Sequence, residues 1–156
     1  MKDMHEAREE GIRQYEEIRK KAGLPDLKEF EEEFEWRVAA PVIASVMSVL
    51  LDRIGQAAGH VEVIFQPTRM SDAMESKFHT EEEKTELFPF YKESISLVHE
   101  MHLAAYTNRE KRLEAIKKAY EFYMKKVKQI MQRFLDTQAK GWLKKEKVEG
   151  AKTYFG

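Results

Sequence analysis

Hydrophobic residues recur along this chain at helical rather than strand spacing. Between residues 3 and 22, Met4, Gly11, Tyr15, Ile18 and Ala22 fall on one face, which predicts a one-sided amphipathic helix. Gly23-Leu24-Pro25 stops it, because glycine suits a left-handed cap and proline cannot continue the turn. Asp26 then caps a second helix with Leu27, Phe30, Phe34 and Val38 on its inner face and Glu29, Glu31, Glu32, Glu33 and Glu35 outside. Pro41 predicts a kink or short break in that helix. From Val42 to Ala58 the chain is apolar almost all round, the pattern of a central helix touched by neighbours on most sides. Gly59 is expected to close it, with Val61–Phe65 following as an extended connector, since a lone five-residue strand has no partner.

The second half repeats the logic. Met70, Met74 and Phe78 predict two or three helical turns within residues 68–79. Thr80 and Glu83 form a capping-box pattern, and Pro89 either opens a fresh helix or kinks the one begun at Glu81. Tyr91, Ile95, Val98, His102 and Ala105 then share a face, and Thr107–Glu110 supplies another capping pattern. Leu113, Ile116, Tyr120, Tyr123, Val127, Ile130 and Phe134 run at alternating three- and four-residue steps, the seam of a long last helix that Gly141 ends or bends. The expected fold is all-α: one domain, 1–156, an antiparallel bundle of four to five helices with a central apolar helix and a long C-terminal helix.

Composition narrows the chemistry. With no cysteine, disulfides, thiolate metal sites and cysteine nucleophiles are excluded. Seven scattered glycines build no phosphate-cradling loop, and no cofactor is implied. The longest uncharged run, 38–51, is fourteen residues against the roughly twenty that a bilayer span requires, so no membrane role is expected. The polar, acidic start has no secretory apolar core, and the expected location is the cytoplasm.

Charge is balanced overall at 27 basic against 28 acidic residues but not locally. From Thr107 onward there are 14 basic and 6 acidic residues. Lys118, Lys125, Lys126, Arg133, Lys140 and Lys144 gather opposite the apolar seam, with Phe122 the one aromatic among them. Such a stripe can lie against phosphates. It can equally be a solvated face, because Glu114/Lys118, Glu121/Lys125 and Asp136/Lys140 sit four apart in the favourable order. The Glu29–Glu35 patch offers the stripe a further partner, within the domain or across a dimer.

His99 and His102, three apart, could share a metal on a bundle helix, with His5 and Glu9 adding ligands. The Glu-x-x-His pairs of carboxylate-bridged bundles are missing, however. No catalytic set converges, and the chain is not expected to be an enzyme. The leading expectation is a non-enzymatic interaction module, a homodimer or a binder of another protein. Nucleic-acid binding by the basic stripe and metal binding at His99 and His102 are the alternatives.

Overall fold

A computed structural model of the chain describes residues 3–144, and these are helical with no strand among them. The elements are α1 (Met4–Arg19), α2 (Leu27–Phe34), α3 (Val42–Phe65), α4 (Met70–Lys77), α5 (Glu81–Ala105), α6 (Arg109–Phe122) and α7 (Lys128–Leu143). A π-helical turn, Tyr123–Val127, joins α6 to α7 in one rod. Central α3 packs chiefly on α5 and α6, α1 covers its start and carries α2, and α4 covers its end.

The segment 35–41 leaves α2 rather than kinking it. Glu35 turns left-handed at φ 48° and its amide donates to the Glu31 carbonyl, which ends α2 at Phe34. The Ala40–Pro41 bond is cis, and Pro41 precedes the first turn of α3. Arg8 donates to both carboxylate oxygens of Glu31, at 3.0 and 3.5 Å, and Glu31 also accepts from the Val38 amide. The Ala40 amide donates to the Ala7 carbonyl and the Val42 amide to the Gln14 side chain. These bonds lay the loop along α1, where Gly11 meets the Ala39 backbone so closely that a Cβ would sit 3.0 Å from its Cα.

Burial pushes the Glu31 carboxyl up, but hydrogen bonds from Arg8 and the Val38 amide, with the Arg8 and Arg37 charges, outweigh it and hold it below 4.5. A carboxyl lowered in the folded state contributes stability above its unfolded pKa, and loses it as pH falls through the folded value. Glu31→Gln is therefore expected to be less stable than the parent at pH 7 by about 1 kcal/mol. In urea titrations that gap should shrink steadily below pH 4.5; a gap independent of pH would show that the charge is not what holds the loop.

Three expectations are corrected further along. Gly59 does not close the central helix, and Val61–Phe65 is not a connector: α3 runs unbroken to Phe65. Val61 and Ile64 continue the buried face of Ile54, Ala57 and Ala58, so packing overrides the strand preference of the β-branched run. Gln66, just before Pro67, is where helical backbone becomes unfavourable. Pro89 does not open a fresh helix: α5 begins at Glu81, as in the alternative reading, and passes through it. The buried face of α5 is Phe90, Ser94, Leu97, Met101 and Ala104, one residue away from the predicted set. Tyr91, Ile95 and Val98 are half-buried at its edge, whereas His102 and Ala105 are exposed. Ser94 is tolerated inside because its hydroxyl donates to the Phe90 carbonyl at 2.8 Å.

The seam of the last helix is as expected: Leu113 to Phe134 are all buried or half-buried. The π turn, in which the Lys128 amide donates to the Tyr123 carbonyl, adds a residue and rotates the face beyond it. Phe122, just ahead of that turn, faces inward, stacked on Phe90 at 5.8 Å, while Lys126 of the basic stripe lies over its ring at 6.0 Å. Asn108, not Thr107, caps α6 by accepting from the Lys111 amide. Gly141 does not end the rod, which continues to Leu143; it lies under the Phe78 ring.

Candidate functional site

Three surfaces of the described residues carry candidate chemistry. On the basic stripe, Lys118 bridges to Glu100 at 2.8 Å and Lys126 to Glu93 at 2.9 Å, both carboxylates belonging to α5. Lys140 pairs with Asp136 on its own helix at 2.8 Å. Lys128, beside the stripe, joins Glu33 of the acidic patch at 2.8 Å. Glu114 pairs with Lys111 instead of Lys118. Lys125, Arg133 and Lys144 are exposed and form no ion pair among the described residues. The rod's excess of cations is thus met mainly by α5, and only in part by the Glu29–Glu35 patch.

His99 and His102 are both exposed on α5, so His102 does not lie in an apolar arc. His5 and Glu9 do meet, at 3.2 Å, on exposed α1. Among the described residues no three His, Asp or Glu side chains lie close enough together to hold a metal ion.

The second surface is the outward stripe of α3. Ala44, Ser48, Asp52, Gln56, Gly59 and His60 are exposed and Gly55 is half-exposed, so the helix is open along one side instead of being enclosed. A Cβ added at Gly55 or Gly59 meets nothing within 4 Å. By length and composition alone α3 is apolar enough to cross a bilayer, yet only 39% of its most apolar 18-residue window is buried. Its flank against α7 is a shallow trough of about 260 Å³ with Ala57, Val127, Met131 and Leu135 in its wall.

The third surface has a single signal in the sequence, His79 four residues before Glu83, a spacing at which helical side chains meet. Thr80 caps α5 by accepting from the Glu83 amide at 3.1 Å. The Glu83 carboxylate does not close a capping box; it lies 3.1 Å from His79 Nδ1. The imidazole stacks on Phe134 of α7 at 4.5 Å and an 11° interplanar angle, with its side chain 1% exposed. With Nδ1–H donating to Glu83, Nε2 is left as a buried atom with no hydrogen-bond partner. His79, Glu83 and Phe134 line a groove of about 390 Å³ between α5 and α7.

Comparison of the chain with protein-family models, curated proteins and solved structures gave no match in any of the three.

Proposed function

We propose that the protein is a non-enzymatic interaction module that associates with a second copy of itself through the outward stripe of α3. The observation that carries this reading is the open side of α3, where Ser48 is exposed and Gly55 and Gly59 leave room for another helix to approach closely. Small side chains at such steps let backbones near one another, so packing area accumulates without long side chains having to order. Along residues 44–60 a monomer leaves Ala44, Ser48 and Gly59 exposed beside the polar Asp52, Gln56 and His60, a surface that a second helix can cover. The stripe of the last helix supports nucleic-acid binding less well, since Lys118, Lys126 and Lys140 are already held by carboxylates.

Sedimentation velocity between about 5 and 500 μM tests the reading over the range of weak to moderate self-association. The expected result is growth from an 18.4 kDa species to a dimer, abolished by Gly55→Glu with an unchanged melting temperature. A single monomeric species throughout, or flotation with lipid vesicles that Gly55→Glu prevents, would overturn it.

A further inference from the structure

The groove between α5 and α7 brings opposite charges to one place without pairing them. Arg133 lines it and forms no ion pair among the described residues, although Glu83, Glu86 and Asp136 line it too. Asp136 is held by Lys140, and Glu83 gives one oxygen to His79. That leaves a guanidinium on the α7 wall and, on the α5 wall, the Glu86 carboxylate and the second oxygen of Glu83. The same groove is lined by Leu87, Ile130 and Phe134, which supply an apolar surface. The volume, about 390 Å³, falls within the range of clefts that take small molecules.

We propose that this groove binds a small zwitterion with an apolar body, of the class of apolar α-amino acids. The ligand carboxylate takes the Arg133 fork, whose planar donors match a carboxylate in two parallel hydrogen bonds. Its ammonium group faces Glu86 and Glu83, and its side chain covers Leu87, Ile130 and Phe134. His79 acts as a positioning residue. Stacked on Phe134 and bonded to Glu83, it fixes the carboxylate's orientation, and its partnerless Nε2 marks the one place in this wall where a buried polar atom lacks a hydrogen-bond donor. A groove of this kind discriminates by charge at both ends, because removing either end of the ligand leaves one wall uncompensated. The site is independent of the α3 face and stands or falls separately from self-association.

The test follows the His79 ring signals by NMR during titration with L-phenylalanine and L-leucine. A saturable shift with Kd below about 10 mM is expected, the affinity class of a small exposed site. Arg133→Gln and Glu86→Gln, both at exposed positions, should each weaken binding by about tenfold or more at an unchanged melting temperature. 3-Phenylpropionate and phenethylamine, each lacking one charge, should likewise bind at least about tenfold more weakly than phenylalanine. No shift at that concentration, equal binding of the analogues, or unaltered binding by both variants would each overturn the proposal.

Discussion

Phe30→Ala is expected to destabilise the protein by about 3–5 kcal/mol, the range for emptying a fully enclosed aromatic site. Phe30 is 0% exposed, and its ring meets those of Tyr15 at 5.8 Å, Phe34 at 4.6 Å, Trp36 edge-on at 5.2 Å and Tyr120 at 6.1 Å. Those neighbours come from α1, α2 itself, the 35–41 loop that follows it and α6, so one side chain ties α2 and its loop to two helices elsewhere in the sequence. The site cannot collapse cheaply, because Tyr15 is pinned by its hydroxyl donating to the Pro25 carbonyl at 2.8 Å and Trp36 by its indole N–H donating to Ser45 at 2.9 Å. Urea unfolding should show a lower midpoint with an unchanged slope. Burial raises the Tyr15 and Tyr120 hydroxyls above 10.0, and nearby carboxylates add to it, with the Arg19 charge opposing at Tyr15. Water entering the emptied site should let these phenols ionise at lower pH, visible at 295 nm. A loss below about 1 kcal/mol would mean the neighbouring rings close over the gap and the cluster is not what joins α1 and α2 to the bundle.

Much of the fold is legible in the sequence because burial follows the 3.6-residue period where no polar residue intrudes. The last rod is the clearest case, with seven seam residues from Leu113 to Phe134 in place. The errors have local causes. On α5, counting Ser94 as polar moves the apparent apolar arc by one residue and carries His102 into it, whereas the serine satisfies itself on the Phe90 carbonyl and stays inside. On α3, the β-branched Val61 and Val63 suggest extended chain, but Val61 and Ile64 are in helical register with Ile54 and Ala57. The open side of α3 was hidden by composition: Ala44, Ser48, Gly55 and Gly59 look like core residues in a sequence. The groove at His79 depends on two helices about fifty residues apart, and no pattern within either names the other.

Alanine at two glycines of this chain is expected to act with opposite sign, and the contrast separates packing from helix preference. Both Gly141 and Gly55 lie inside helices, where alanine is intrinsically favoured by about 0.5–1 kcal/mol. At Gly55 nothing stands within 4 Å of the added methyl, so Gly55→Ala should realise that gain in full in the monomer. At Gly141 the methyl would lie 2.4 Å from Phe78 Cγ and 2.5 Å from Cδ2, far inside contact distance. The ring is caught at its root, not its tip, so it must leave the α7 surface and break its edge contact with Trp142 at 5.2 Å. Its neighbour His79, stacked on Phe134, resists the same displacement. Gly141→Ala should therefore lose about 1–3 kcal/mol despite its better helix preference. Thermal unfolding of both variants at low micromolar concentration measures the pair. Repeating it near 500 μM links the result to self-association: if α3 faces a second copy, the benefit of Gly55→Ala falls as the dimer fills, because the methyl then meets a neighbouring backbone. A benefit that is the same at both concentrations would place Gly55 in open solvent and remove α3 as the contact between copies.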